Sequence, residues 1–143
     1  MTEGTTTEFA EPQLTFAFEA RVSVAAEQHI GRGSNERLIL IPITGGTVSG
    51  PRLNGTVLGV GADWCTERGT TYELEARYVI EADDGTLIDI INRGFYREID
   101  GYYRTSPMFR TDAPAYRWLT ETVFIGMARP DGDQVCIRFY ELT

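Results

Sequence analysis

The sequence predicts an all-β protein, a single closed or nearly closed antiparallel β-barrel of about eight strands. Three features predict it. Apolar and polar residues alternate with period two over most of the chain. Tight-turn signals separate the alternating runs, and no run keeps a helical period beyond about two turns. Between Ile43 and Trp64 six glycines (Gly45, Gly46, Gly50, Gly55, Gly59 and Gly61) interrupt strand-like pieces. Glycine inside a strand marks a bulge, a bend or a close backbone approach, and barrel closure needs bends.

Residues 1–12 are polar with little apolar content, so a flexible tail is expected ahead of a barrel domain spanning 13–143. In 14–24, Leu14, Phe16, Phe18, Ala20, Val22 and Val24 share one face, opposite Thr15, Glu19, Arg21 and Ser23. Residues 31–35 (GRGSN) read as a loop, and 37–44 as a strand in which Pro42 marks an edge or a bulge. Short strands are expected at 52–57 and 62–68. Residues 71–81 form a long strand with Tyr72, Leu74, Ala76, Tyr78 and Ile80 on one face, and Asp83-Asp84-Gly85 turns it into a return strand at 86–93. Residues 103–110 form a further strand interrupted by Pro107, and 113–119 a turn or short helix. Strands 122–128 and 134–142 pair across Pro130-Asp131-Gly132.

A chain of 143 residues is most simply one domain that buries about two thirds of its unfolded surface. The net charge of −8 would repel a phosphate backbone, which excludes nucleic acid as the expected partner. The positive charge is arginine, suited to carboxylates and planar ligands, although compositional bias explains it equally well. No apolar stretch approaches the roughly 20 residues of a membrane helix, and no secretory signal opens the chain. A cytoplasmic location is therefore expected. Cys65 and Cys136 are expected to be buried free thiols. Two cysteines and one histidine without ligand spacing fall short of a zinc site, so no metal is expected.

Nucleophile, phosphate-loop and cofactor fingerprints are missing, which leaves carboxylates, arginines and aromatics to carry chemistry, with no cofactor. His29, the single histidine, lies beside the GRGSN loop and is expected in solvent. Asp63, beside Trp64, either moves protons from a partly apolar pocket or caps a turn after Gly61. Glu75 and Arg77 either line a lumen and orient a ligand or belong, like Glu73, to a wet outer wall. Asn92, Arg93, Tyr103, Arg104, Tyr116 and Trp118 supply the stacking faces and donors of a pocket for a planar oxygenated molecule. Tyr103 and Trp118 would alternatively fill the core or cover one barrel end.

With these residues the chain resembles the domain-of-unknown-function 3237 family. The matching elements are ITGG, GPRL-x-G-x-V and GADW within 43–64, E-A-R-Y (75–78), DDG-x-L-I (83–88) and N-R-G (92–94). They continue with Y-R-T-x-P-x-F (103–109), Y-x-W-L (116–119) and YEL (140–142). Singly these are weak; their order and spacing are specific. The resemblance implies a closed antiparallel barrel like that of allene oxide cyclase and dirigent proteins. It places Asp63, Trp64, Arg77, Asn92, Arg104 and Trp118 at the pocket. It also implies association as dimers or trimers, which similar barrels often show. Relatives carry a longer segment where residues 95–102 stand here, so a lid or pocket wall is expected to be missing.

The functional expectation is a cofactor-independent isomerase, cyclase or lyase for a planar oxygenated small molecule, such as an aromatic polyketide or phenolic. Asp63 would move the proton, Arg77 or Arg104 with Asn92 or Tyr103 would stabilise enolate charge, and Trp64, Glu75, Tyr116 and Trp118 would help to bind substrate. The alternatives are a non-catalytic small-molecule-binding barrel and a structural protein with a solid lumen.

Overall fold

Alternating strands joined by short turns must pair with their sequence neighbours, and here they curl until first meets last. A computed structural model describes residues 8–143. Among the described residues the strands are β1 (Leu14–Val24), β2 (Gln28–Arg32), β3 (Arg37–Ser49), β4 (Gly55–Arg68), β5 (Thr71–Ala82), β6 (Leu87–Arg97), β7 (Tyr102–Arg110), β8 (Phe124–Asp131) and β9 (Gln134–Leu142). A 3₁₀ turn (Pro114–Tyr116) and helix α1 (Arg117–Thr120) lie between β7 and β8. The sheet order is β1-β9-β8-β7-β6-β5-β4-β3, and β1 pairs with β3 to close an antiparallel barrel. β2 adds a further strand along β3. No helix among the described residues is long and apolar enough to cross a membrane.

Several elements differ from the sequence reading. The expected tail at 1–12 falls partly outside the described residues; of it, 8–12 are exposed and form no strand. The stretch after Val24 resumes as β2 on the other half of β3, so His29 belongs to a strand rather than a loop margin. The pieces read as 52–57 and 62–68 are one strand, β4, whose pairing slips between Val57 and Gly61. β3 slips likewise between Pro42 and Gly46. The glycines blur the alternation there because bulges interrupt the two-residue period.

The two barrel ends are built differently. At one end Phe18, Phe109, Phe124 and Phe139 pack at ring distances of 5.0–6.1 Å. Ile80, Ile88 and Ile90 complete that core, and Leu53 and Leu119 are buried with it. Filled with bulky side chains, this half is solid. At the other end lie the turns after β4, β6 and β8, and there the inward face changes to Asp63, Cys65, Glu67, Tyr72 and Tyr103.

Two glycines permit the closure. Gly46 (φ +145°) and Gly61 (φ +101°) adopt backbone conformations that L side chains rarely take. A Cβ at Gly46 would overlap the Arg21 carbonyl oxygen, and one at Gly61 that of Arg77. Gly46→Ala and Gly61→Ala are therefore each expected to destabilise the barrel by on the order of 2–4 kcal/mol in urea unfolding. Gly31→Ala, with nothing within 4 Å of its Cβ, should leave the midpoint nearly unchanged.

Candidate functional site

β4 keeps one inward phase across its slip, so Asp63, Cys65 and Glu67 stand on the face of buried Val57 and Trp64 points out. Asp63 lies in the wall shared by two spaces. One is an inner cavity of about 30 Å³, bordered by Asp63, Tyr78, Asn92, Tyr103 and Thr105 among apolar neighbours such as Val22, Ile43 and Ile137. The other is a mouth of about 420 Å³, lined by Ile39, Ile41, Tyr72, Tyr96, Pro130 and Val135, with Glu27, Arg37 and Glu98 also contributing. Leu74, Tyr103 and Val135 border both spaces, as Asp63 does.

Asp63 keeps some accessible surface because the mouth reaches it, while the barrel encloses the rest of the side chain. Its Oδ1 accepts the Glu75 backbone N–H at 3.1 Å. No arginine pairs with it among the described residues. Desolvation dominates: burial raises its pKa from 3.8 to about 6, the Glu75 amide opposes this, and the Glu75 charge adds to it. The backbone bond of a capping aspartate is thus present, but it reaches across to β5 rather than into a local turn.

Glu67, four residues along the same face, behaves oppositely. Arg37 Nε donates to its Oε1 at 2.9 Å and the Tyr72 hydroxyl to its Oε2 at 3.0 Å. Those bonds hold the Glu67 carboxyl below the usual carboxylate range. Arg37 Nη1 also lies 2.8 Å from His29 Nδ1, whose Nε2 is 3.3 Å from Glu27. Two carboxyls on one strand face are therefore driven apart, one toward neutrality and one fixed as an anion, the arrangement that separates acid–base roles.

A tyrosine row crosses the mouth. Tyr72 and Tyr96 stack at 5.9 Å, and Tyr96 and Tyr103 lie 4.7 Å apart. Burial, with the nearby Asp63 charge, raises the pKa of Tyr78 and Tyr103, so both phenols remain donors. β6 and β7 join directly, Arg97 opposite Tyr102, in a short hairpin that brings Glu98 to the mouth.

The expected site residues divide. Asp63, Asn92 and Tyr103 come together at the inner cavity. Glu75, Arg77, Trp64 and Arg104 do not line it, because each alternates with inward neighbours and points outward. Arg93 Nη2 donates to Glu75 at 3.1 Å, and Arg77 Nε to Asp89 at 3.2 Å, as cross-strand pairs on the outer wall. Trp64 is 47% exposed. Arg104 donates to the Tyr103 carbonyl at 2.9 Å and borders outer-wall grooves. Tyr116 and Trp118 lie at the solid end, where Arg52 stacks over Trp118 at 3.8 Å and Trp118 packs on Phe124. Tyr78, Thr105, Tyr72, Tyr96 and Glu67 were not expected at the site. The signal for Tyr72 and Tyr78 was their place on the Leu74 face, and for Thr105 its spacing of two from Tyr103.

These features define a closed antiparallel barrel, solid at one end, with Asp63 at the base of an aromatic mouth at the other. The family model described as "Protein of unknown function (DUF3237)" matches residues 12–142, and the chain belongs to that family. A UPF0311 protein of Rhodopseudomonas palustris (strain TIE-1) is 34% identical over 150 residues, covering 92% of this chain and 96% of that one. The crystal structure of a beta-barrel like protein from Acinetobacter baumannii AYE superposes with a TM-score of 0.90 at 29% identity, covering 96% of this chain and all of the other. The hydroalkoxylation enzyme phnH of Penicillium herquei is 25% identical over 115 residues, covering 80% of this chain and 73% of that one.

Because Asp63 binds its proton more tightly folded than unfolded, it stabilises the fold most below pH 3.8 and loses that contribution as pH rises through about 6. Allowing for the solvent that reaches it, the loss is on the order of 2 kcal/mol. Asp63→Asn removes the titration, so urea unfolding should show its stability improving relative to wild type by that amount between pH 4 and pH 7. A difference that is flat with pH would contradict this.

Proposed function

We propose that the barrel is a cofactor-independent acid–base enzyme, an isomerase, cyclase or lyase of planar oxygenated small molecules. The observation that carries this reading is Asp63: an enclosed carboxyl with no cationic partner among the described residues, its pKa pushed up to about 6 by burial, in the wall between mouth and inner cavity. A group poised near the working pH serves both as proton acceptor and as donor. A mouth of about 420 Å³ is the size of a small-molecule site. In this reading the substrate's planar body lies along Tyr72, Tyr96 and Tyr103. Asp63 moves a proton between carbon and oxygen, and the Tyr103 phenol donates to the oxygen that gains charge. The outward Arg77 and Arg104 take no part.

The resemblance to a hydroalkoxylation enzyme supports the reaction type. Hydroalkoxylation is addition of an alcohol O–H across a carbon–carbon double bond, a redox-neutral redistribution of one proton. What this chain would share is the proton step.

The test follows hydrogen exchange in D₂O by NMR on phenolic methyl ketones such as 4-hydroxyacetophenone. Wild type should accelerate deuterium entry alpha to the carbonyl, with a rate that rises with pH and levels above about 6 as Asp63 ionises. Asp63→Asn should lose about 10²-fold or more. Equal exchange in both proteins removes Asp63 from the chemistry. Ketones that bind without exchange favour a carrier barrel.

A further inference from the structure

Among the described residues three buried side-chain atoms have no hydrogen-bond partner: Tyr78 Oη, Asn92 Oδ1 and Thr105 Oγ1. Their residues are only 2%, 3% and 5% exposed, and all three border the inner cavity. A buried polar group left unpaired costs about 1–3 kcal/mol, and folded proteins hold few of them. Three around one cavity point to an occupant that supplies their bonds. At about 30 Å³ the space exceeds what one water needs. It falls far short of the roughly 150 Å³ that accepts a benzene ring. An oxygen enters; a ring stays outside.

The chemistry of the three atoms selects the kind of oxygen. The Tyr78 and Thr105 hydroxyls can donate, whereas Asn92 Oδ1 only accepts. A carbonyl oxygen would leave Asn92 unpaired, and a methyl group would leave all three unpaired. A hydroxyl, which donates once and accepts twice, satisfies them together. Gly126 preserves the space: it pairs with Thr105 across β7 and β8, and a Cβ there would overlap Thr105 Oγ1.

Resting on the acid–base reading of Asp63, we propose that the inner cavity is a subsite for one hydroxyl group of the substrate, which is therefore an alcohol or phenol whose body remains in the mouth. Water fills the subsite in the free protein. The hydroxyl then lies against the wall that Asp63 shares, beside the group that moves the proton.

Phenol and toluene test this, because they share a shape and differ in hydroxyl against methyl. A merely apolar pocket prefers toluene, the more hydrophobic of the two. By NMR titration, wild type should bind phenol at least about tenfold more tightly than toluene. Thr105→Val, isosteric at the cavity wall, and Tyr78→Phe should each cut that ratio by about threefold or more. Equal or stronger binding of toluene, a ratio unchanged in both variants, or no phenol binding at millimolar concentration overturns the subsite. Hydroxyl preference without Asp63-dependent exchange upholds the subsite and removes the enzyme; exchange without preference does the reverse.

Discussion

The enclosure of one carboxyl group without a cation is the constraint on which the rest of the molecule turns. In water an aspartate is ionised at neutral pH, and inside a barrel that charge is expensive. The simplest remedy, an arginine facing Asp63, is not used. Arg77 of β5 and Arg93 of β6 are engaged by Asp89 and Glu75 outside the wall. Arg37, which does reach the mouth, is engaged by Glu67. Asp63 is left with one backbone amide and a fold that must carry its cost. The phenylalanine and isoleucine packing at the other end supplies apolar burial to offset it.

Position and cost share an origin in the backbone. The slip between Val57 and Gly61 sets Asp63 opposite Ala76, on the same face as buried Val57, and leaves Trp64 outward. Without the slip Asp63 would keep its face but stand opposite Leu74 instead of Ala76, because a two-residue shift moves a side chain along its neighbour and leaves it on the same side. The glycines between Ile43 and Trp64 therefore serve both barrel closure and delivery of the acid.

Much of the fold was legible in the sequence because alternation reports which side of a strand is wet. The β5 face of Tyr72, Leu74, Ala76, Tyr78 and Ile80 is inward, and β9 spans the expected residues. Legibility failed where bulges break the period: β4 read as two strands, and β2 passed for a loop. At the site the difficulty was chemical. Charged residues drew the functional reading, yet a barrel this narrow sends Glu75, Arg77 and Arg104 outside, where ion pairs stay hydrated. Beside Asp63 its polar interior is built from uncharged groups, Tyr78, Asn92 and Thr105, of which Tyr78 and Thr105 look from sequence like ordinary members of an apolar face. Tyr116 and Trp118 misled for another reason: they follow β7 closely in sequence, but one strand length carries them to the opposite end of the barrel.

The central claim is that Asp63 is held ready to exchange its proton near neutrality, and a direct reading is the ¹³C NMR titration of its side-chain carboxyl. The geometry predicts a midpoint near 6, shifted by burial. A midpoint at or below the ordinary 3.8 would show a solvated, permanently ionised carboxylate and contradict the acid–base reading of the barrel.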